Sequence, residues 1–385
     1  MAISKNLSRR QFLVHSASIA GASLGLRATR ALKGDETESE VRLGFIGIGD
    51  RGRHLLGAAL AVNDVRIVGL CDVHPRRLKK GLDMVGGSGV RGSRHKPQGF
   101  TDWRSLLAAK DIDAVFIATP VFLHHAQTLA ALEAGKHVYC EKPLALTPWE
   151  CREVLAACHE AEGRGQIYQS GFQRRYNPRY RRSVEYLHSG DAGAVHFVRA
   201  QWHAVTPPRK DKPWLNRRDK SGDIVLEQAS HQFDVFNWIF QGPPTCATAV
   251  GGTRGVAGPP GRDILDHYSA VLEFDGGGKV QLSHLTYSIP ERRFSGIYEL
   301  AFCENTGVDV ANALTWDKSG CTRQLDVHGG NDTQLAVESF VDSLIRGKRP
   351  AADALVAYQA SLAALMCRRA IDTRCGVSFA EIEAL

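Results

Sequence analysis

The chain has 385 residues, 43% of them hydrophobic and 23% charged, which is the length of about two domains and the composition of a globular protein. Collagen-like, disordered and disulfide-rich scaffold proteins have compositions far from these values, so the sequence argues against all three classes. Of the net charge of +7, five positive charges lie within the first 31 residues. The rest of the chain carries too little charge to indicate a nucleic-acid partner.

Residues 1–31 are predicted to be an export signal. Arg9 and Arg10 precede a weakly apolar stretch that ends near Leu26, and this arrangement resembles the twin-arginine signals that carry folded proteins out of the cytoplasm. An amphipathic or disordered N-terminal tail is the alternative interpretation. Under the signal interpretation, residues 32–40 are a charged linker and the mature protein is periplasmic, with no membrane partner after export.

A short strand followed by a glycine-rich turn opens the first predicted domain. The strand covers residues 41–46, and a helix is predicted over residues 54–61. In a G-x-G-x-x-G turn between a strand and a helix, the glycines allow a tight turn, close approach of a pyrophosphate and close packing of the helix. The helix N-terminus adds N–H groups that bind anions. The residues predicted to bind a dinucleotide in this way are Gly47, Ile48, Gly49, Asp50, Arg51 and Gly52.

The end of the next predicted strand, residues 66–71, carries the expected determinant of cofactor choice. Asp72 follows this strand, twenty residues beyond Gly52, where a carboxylate binds the ribose hydroxyls of NAD and repels the 2′-phosphate of NADP. Arg76 and Arg77 come shortly afterwards and leave NADP open as an alternative. NAD is the predicted cofactor.

Strands and helices continue to alternate to residue 165, which is typical of a parallel sheet. Further strands are predicted over 114–118 and 137–140, with a helix over 125–134 between them. Ligands of such sheets bind at the carboxyl ends of the strands, so the residues that follow these strands are further candidates for cofactor contacts. They are Thr119, Pro120, His124, Glu141 and Lys142. His124 could instead cap the helix that follows it.

The pattern changes to period-two strands beyond residue 166, which indicates a largely antiparallel sheet. A hairpin turn is predicted at 275–278, and helices are predicted over 332–346 and 353–371. The predicted strands cover residues 196–202, 247–252, 268–274, 279–287 and 297–303. The predicted fold class is α/β, with a Rossmann doubly wound parallel sheet in residues 41–165 followed by an α+β substrate domain with a large, mostly antiparallel open sheet in residues 166–385.

Within the second domain, residues 222–238 are predicted to form a helix that carries acid–base groups. Glu227, His231 and Asp234 are spaced i, i+4 and i+7, which places them on one helix face. A carboxylate beside an imidazole suits proton transfer, although Asp234 is better explained by a structural role, either as a cap or in a pair. A metal site is the weaker alternative, because a nicotinamide-dependent reaction needs no metal.

Four motifs in this order resemble the Gfo/Idh/MocA oxidoreductase family: residues 47–52, 118–120, 134–138 and 141–143. The resemblance covers nearly everything beyond residue 40 and implies a sugar- or cyclitol-acting enzyme, commonly an oligomer formed through its open sheet. It further implies that His231 acts on the substrate hydroxyl and that Lys142 reaches the same oxygen. The family has an aspartate four residues before that histidine, and Glu227 replaces it here.

Substrate contacts are assigned to three further residues. Arg175 and Tyr176 lie in a stretch that resembles the family's loop beside the substrate, and His203 ends a predicted strand. The loop that leads to Trp214 could also place an aromatic face against a sugar ring.

The predicted function is an exported NAD-dependent oxidoreductase that acts on a ring hydroxyl of a sugar or glycoside. Free nicotinamide cofactor is not expected outside the cytoplasm, so such an enzyme must retain its cofactor. A redox-neutral NAD-dependent glycosidase is the first alternative, with transient oxidation, elimination of the aglycone, addition of water and re-reduction. A non-catalytic dinucleotide-binding sensor is the second.

Overall fold

The computed structural model describes residues 40–87, 96–205, 211–253, 258–287, 291 and 295–385. The predicted signal, residues 1–31, and the linker as far as residue 39 lie outside these ranges. Within them, no helix combines the length and the apolar composition that crossing a membrane requires.

A parallel sheet forms the centre of the first domain. Its described strands are β1 Val41–Ile46, β2 Val65–Cys71, β3 Gln98–Phe100, β4 Ala114–Ile117, β5 His137–Cys140 and β6 Tyr168–Ser170. They lie in the order β3-β2-β1-β4-β5-β6, and each neighbouring pair is parallel. All of β4 is buried, as expected for a strand with helices on both faces of its sheet. This order confirms the predicted doubly wound fold.

The described helices of this domain are α1 Asp50–Leu60, α2 Pro75–Gly87, α3 Trp103–Leu107, α4 His124–Glu133 and α5 Pro148–Gly163. The helix predicted over 54–61 begins four residues earlier, at Asp50, and the helix predicted over 125–134 is shifted by one residue. The Asp102 side chain caps α3, and Thr147 and Glu150 form a capping box on α5. Gly135, with a φ of +75°, follows α4 in the left-handed conformation that ends a helix.

A second, mostly antiparallel sheet confirms the sheet predicted for the second domain. Its described strands are β7 Val195–His203, β8 Cys246–Gly252, β9 His267–Glu273, β10 Lys279–Leu285, β11 Gly296–Cys303, β12 Gly307–Asp309, β13 Leu314–Trp316, β14 Thr322–Gln324 and β15 Val377–Ser378. They lie in the order β14-β13-β12-β11-β7-β10-β9-β8-β15, and only the β7–β10 pair among them is parallel. The turn Asp275–Gly277 joins β9 to β10 as a hairpin, as predicted. Strands β12 to β15 were not predicted, because two or three residues show no period.

The described helices of the second part of the chain are α6 Pro178–His188, α7 Arg218–Ser221, α8 Asp223–Glu227, α9 Ser230–Ile239, α10 Asp332–Arg346, α11 Ala354–Thr373 and α12 Phe379–Glu383. Helix α11 packs on both α9 and β8. Burial alternates along β9, where Ala270 is 1% exposed and Val271 is 41% exposed, so the opposite face of the sheet is open.

The first domain extends beyond the predicted boundary at residue 165. Strand β6 pairs with β5, so the parallel sheet ends at residue 170. Helix α10, which was assigned to the second domain, also packs on the first: Gln169 Nε2 donates to the Ala336 carbonyl at 2.8 Å, and the Phe340 ring lies 5.4 Å from that of Phe116. A helix that returns to an earlier domain leaves no local signal in the sequence.

Candidate functional site

A cavity of about 630 Å³ lies at the carboxyl ends of β1, β2, β4 and β5, between the two domains. It is lined by every predicted cofactor residue except Ile48 and Gly52, and by Lys142, Glu227 and His231. The volume is within the range of small-molecule and cofactor sites. The structure therefore brings the predicted cofactor and catalytic residues to one place.

The three glycines of the first turn have different surroundings. A Cβ on Gly52 would lie 1.9 Å from the Gly47 carbonyl oxygen, and a Cβ on Gly47, whose φ is +91°, would lie 2.7 Å from the Ala118 carbonyl oxygen. These two positions require glycine for the packing of the turn itself. A Cβ on Gly49 would meet no protein atom within 4 Å, although Gly49 lines the cavity. The absence of a side chain at Gly49 thus leaves space for a ligand.

The start of α1 completes an anion site at this turn. Gly49 is the N-cap and offers no side-chain oxygen to the first N–H groups of the helix. Such groups, together with the helix dipole, bind phosphate. The glycine turn and α1 therefore fit the pyrophosphate of a dinucleotide.

Asp72 is held at the cavity wall by the backbone. Its Oδ2 accepts from the Ile48 N–H at 2.8 Å, and its Oδ1 accepts from the His74 N–H at 2.8 Å. Ile48 thus contributes through its backbone N–H, which holds Asp72 in place. The residue itself is fully buried and does not line the cavity. Each carboxylate oxygen keeps a further lone pair for a ribose hydroxyl. Arg77 also lines the cavity, so the basic group considered for NADP lies near the same wall.

His124 joins two loops of the first domain. Its Nδ1 lies 2.8 Å from the Pro143 carbonyl oxygen and its Nε2 lies 3.1 Å from the Thr119 carbonyl oxygen. Both partners accept, so both ring nitrogens donate when the ring is an imidazolium. Burial opposes this charge, but the Cys140 sulfur and the two carbonyls outweigh it and raise the pKa of His124 to about 9. His124 thus fixes the loops around Thr119 and Lys142 and is also the first residue of α4.

Glu141 is paired with the glycine turn. Arg51 Nε lies 2.7 Å from Glu141 Oε1, and Arg51 Nη1 donates to Thr333 Oγ1 at 2.8 Å. Burial opposes the charge on Arg51, yet the Glu141 carboxylate outweighs it and raises the pKa of the guanidinium. Thr333 belongs to α10, so this network connects the turn to the C-terminal part of the chain.

Lys142 reaches across the cavity to the second domain. Its ammonium donates to the backbone carbonyl of Glu227 and lies 3.3 Å from Glu227 Oε1. The Lys142 side chain is 12% exposed, and what is exposed faces the cavity. The longer carboxylate that replaces the family's aspartate therefore holds the lysine.

The predicted continuous helix over 222–238 is interrupted. It consists of α8 and α9, separated by Gln228 and Ala229, and the Ala229 N–H donates to the Ile224 carbonyl five residues back. The Gln228 side chain meets His284 Nε2 of β10 at 2.9 Å. Wider turns of this kind are frequent at functional sites. Glu227 and His231 nevertheless line the same cavity.

His231 lines the cavity with a buried, neutral imidazole. It is 8% exposed, and its Nδ1 is buried without a hydrogen-bond partner among the described residues. Burial, and then the positive charges of Lys142 and Arg174, hold the pKa of His231 well below its usual range. The imidazole is therefore neutral near pH 7 and able to accept a proton.

Asp234 does not line the cavity, although it lies only three residues after His231 in α9. It is 1% exposed and forms an ion pair with Arg175, whose Nη2 lies 2.8 Å from Asp234 Oδ1. Within the described ranges, no group of three or more His, Cys, Asp and Glu side chains is arranged to hold a metal ion.

The three residues assigned only to substrate contacts do not line the cavity. Arg175 is held by Asp234 and stacks over Trp238 at 5.2 Å. Tyr176 is 6% exposed, and its hydroxyl accepts from the Ala352 N–H at 3.2 Å. His203 Nε2 lies 2.9 Å from Ser283 Oγ on the neighbouring strand. All three side chains are occupied by partners in the second domain that are distant in sequence.

Residues near these three in the sequence or in the second domain line the cavity instead. Gln173, two positions before Arg175, lines the cavity, as does Trp214 of the loop considered for an aromatic contact. Lys212 and Leu215 of the same loop do so as well. The position of Trp214 agrees with the aromatic contact considered for its loop, whereas no motif in the sequence indicates Gln173, Lys212 or Leu215.

Family models match both domains of the chain. Residues 41–170 match the GFO_IDH_MocA model, described as an oxidoreductase family with an NAD-binding Rossmann fold. Residues 180–297 match the GFO/IDH/MocA C-terminal domain. The first match ends at residue 170, where the parallel sheet ends.

A curated relative agrees with these matches. The inositol 2-dehydrogenase of Salmonella typhimurium is 30% identical over 201 residues, which are 52% of this chain and 54% of that enzyme. The chain thus spans about half the length of this curated relative.

Solved structures share the fold. The scyllo-inositol dehydrogenase of Lactobacillus casei, with NAD(H) and scyllo-inositol bound, has a TM-score of 0.70 and 20% identity over 89% of this chain and 99% of that one. Levoglucosan dehydrogenase, in complex with NADH and levoglucosan, has a TM-score of 0.75 and 19% identity over 88% and 99%. At this identity the likeness shows the fold alone. Together with the two family models, it shows that the chain belongs to the GFO/IDH/MocA family of oxidoreductases with an NAD-binding Rossmann fold.

Proposed function

We propose that the protein is an NAD-dependent oxidoreductase that acts on a ring hydroxyl of a sugar, a glycoside or a related cyclic polyol and keeps its cofactor tightly bound. One observation carries this proposal: Lys142 and a neutral, buried His231 share a cavity with the glycine turn and Asp72. The relatives named for inositol and levoglucosan support the substrate class.

In the proposed alcohol oxidation, each residue has a separate role. When bound, NAD supplies the acceptor for the hydride that leaves the carbinol carbon. His231 accepts the hydroxyl proton, since burial and the neighbouring cations keep its imidazole neutral. The Lys142 ammonium stabilises the negative charge that develops on the same oxygen. Glu227 positions that ammonium through its carbonyl and carboxylate.

The charges around the reacting groups favour an uncharged substrate. Lys142 is paired with Glu227, and Arg51 is paired with Glu141. Paired charges leave little net attraction for an ionic substrate. A polyhydroxylated ring, which offers donors and acceptors without charge, suits this cavity.

Asp72 determines the choice between NAD and NADP in this proposal. Asp72→Ala should raise the Kd for NADH by about tenfold, since a hydrogen-bonded carboxylate is lost, and should reduce the discrimination against NADPH. Fluorescence titration with both reduced cofactors measures the two effects. Asp72→Asn removes the charge and keeps one acceptor, for the Ile48 N–H, but loses the acceptor for the His74 N–H. Tighter binding of NADPH than of NADH by the wild type would show that Arg77 governs the choice.

We propose that the protein is exported by the twin-arginine route, with residues 1–31 as its signal. Replacing both Arg9 and Arg10 by lysine should leave the folded protein in the cytoplasm, because this route recognises the arginine pair. Cell fractionation with immunodetection measures the distribution, and the single Arg27→Lys variant is the matched control. Undiminished periplasmic recovery of the double variant would refute the signal and remove the reason to expect cofactor retention.

We also propose that the protein is a homo-oligomer that pairs through the open face of its second sheet. Phe197, Val271 and Phe302 are 37%, 41% and 40% exposed on the strands of this sheet. Exposed apolar side chains on neighbouring strands favour association. Sedimentation equilibrium should therefore give a mass that is a multiple of the chain mass, and Phe302→Glu should lower it. A monomer at micromolar concentration would contradict this.

The activity is tested on purified protein with a panel of sugars, glycosides and cyclitols and added NAD. The expected result is a rise in the near-ultraviolet absorbance of reduced nicotinamide with at least one member, and no rise with His231→Ala. The same preparation is incubated with aryl glycosides without cofactor. Catalytic release of the phenol would favour the redox-neutral glycosidase, and bound cofactor that no member reduces would favour the sensor.

A further inference from the structure

A segment of the second domain lines the cavity and contacts the first domain on two sides of it. It runs from Lys212 through the 3-10 turn Pro213–Asn216 to α7, and it lies outside the sheet. Lys212, Trp214 and Leu215 all line the cavity. We call residues 212–221 the crossing segment.

The crossing segment is fixed to its own domain at its centre. The Asp263 N–H donates to the Asn216 carbonyl at 3.2 Å, and the Arg218 N–H donates to Asp263 Oδ1 at 2.7 Å. Asn216 is 5% exposed, so the first of these two bonds involves a buried residue. The segment is therefore a built part of the second domain.

Both ends of the crossing segment contact the first domain. Lys212 Nζ lies 2.6 Å from Asp50 Oδ2, at the glycine turn. Lys220 Nζ lies 5.6 Å from the ring centre of Phe122, in the loop after β4. Asp50 and Phe122 both line the cavity. The segment thus bridges the two loops between which the dinucleotide would lie.

The ion pair with Lys212 reduces the negative charge of Asp50 beside the expected pyrophosphate site. Asp50 is the first residue of α1 and directly follows Gly49, so its carboxylate stands where the pyrophosphate approaches the helix. Unpaired, this carboxylate would repel the phosphates. Arg53 Nη2 offsets part of its charge at 2.9 Å from Oδ1, and Lys212 supplies a second cation from the opposite domain.

The structure assigns to Lys212 the role of a cofactor-retention residue, whose ion pair with Asp50 closes the crossing segment over the pyrophosphate and slows release of the dinucleotide. This inference rests on the proposed function and deepens it, because it names the residue that keeps the cofactor bound. A bound anion beside the pair places the Lys212 ammonium between two negative groups. Release of the dinucleotide then requires the pair to open.

The experiment measures the rate of NADH release by stopped-flow fluorescence, with excess ADP-ribose as the displacing probe. Lys212→Met should release NADH about three- to tenfold faster than the wild type, as expected for the loss of a partly exposed ion pair next to a phosphate. Lys212→Arg, which keeps the charge, should stay close to the wild-type rate. Lys79→Met is the matched control, because Lys79 forms a similar pair with Asp83 on α2, with no contact to the cavity.

Two further readouts separate retention from a general loss of structure. The wild-type release rate should rise with ionic strength, and the Lys212→Met rate should depend on it much less. Lys212→Met should weaken the binding of ADP-ribose but not that of adenosine, which lacks the pyrophosphate. Equal NADH release by the wild type and Lys212→Met, or an equal loss of adenosine binding, would overturn the inference.

Failure of this inference can be distinguished from failure of the proposed function. Release rates need no substrate, so a wild type that binds NADH but oxidises nothing overturns the proposed function alone. A wild type that binds no NADH overturns both.

Discussion

Lys142→Ala and His231→Ala are each expected to lower kcat by about 10²- to 10⁴-fold, the usual cost of removing a positioned acid or base. The two side chains line the same cavity from different domains, and in the proposed mechanism both act on the substrate oxygen. NADH should remain bound in both variants, because the glycine turn and Asp72 are unchanged. Steady-state kinetics and fluorescence titration measure the two quantities separately.

The effects of these two replacements should not add. When two residues assist the same step, removing either one already abolishes most of their joint contribution to the rate. The double variant should therefore be little slower than the slower single variant. Glu227→Asp restores the residue usual in the family and should keep substantial activity if Glu227 only positions Lys142. Full turnover by either alanine variant, on a substrate that the wild type accepts, would contradict the assignment of Lys142 and His231.

Two glycine replacements in the turn are expected to affect different properties: one the free energy of unfolding, the other NADH binding. Gly52→Ala should lower the free energy of unfolding by at least about 2 kcal/mol, because its Cβ would lie 1.9 Å from the Gly47 carbonyl oxygen. Gly49→Ala should change it by less than about 1 kcal/mol, since its Cβ meets no protein atom within 4 Å. Gly49→Ala should nevertheless weaken NADH binding by about tenfold or more, because the methyl group occupies the space left for the pyrophosphate.

Denaturant unfolding and NADH titration distinguish these outcomes. Gly57→Ala is the matched control: Gly57 is an exposed residue of α1 with open space around it, so alanine there should stabilise the helix by about 0.5–1 kcal/mol and leave NADH binding unchanged. Normal NADH affinity in Gly49→Ala would show that the pyrophosphate does not approach the turn at this residue.

The features that the sequence could predict depend on short-range chemistry. The glycine turn and Asp72 were identified because their spacing and their position after strands have a direct steric meaning. The hairpin at 275–278 and the end of α10 at Gly347, whose φ is +65°, follow from glycine conformation in the same way. The hairpin and the helix end can be recognised within about ten residues of chain, and Asp72 within the single strand–helix–strand unit that begins at β1.

The features that could not be predicted depend on partners far away in the chain. The interruption between α8 and α9 coincides with the Gln228–His284 hydrogen bond, whose partners are 56 residues apart. Arg175 was expected at the substrate, but Asp234, 59 residues away, holds it in the second domain. Lys212 reaches the cavity only because its segment crosses between the domains, and no local pattern encodes such a path.

The central claim is most directly tested by following deuterium from substrate to cofactor. The purified protein is mixed with NAD and with sugars or cyclitols that carry deuterium on their carbinol carbons, and the recovered nicotinamide is analysed by mass spectrometry. Transfer of one deuterium to the nicotinamide ring from at least one substrate, and its loss in His231→Ala, is the result expected. A wild-type protein that binds NAD but transfers deuterium from no member of the panel would contradict the claim.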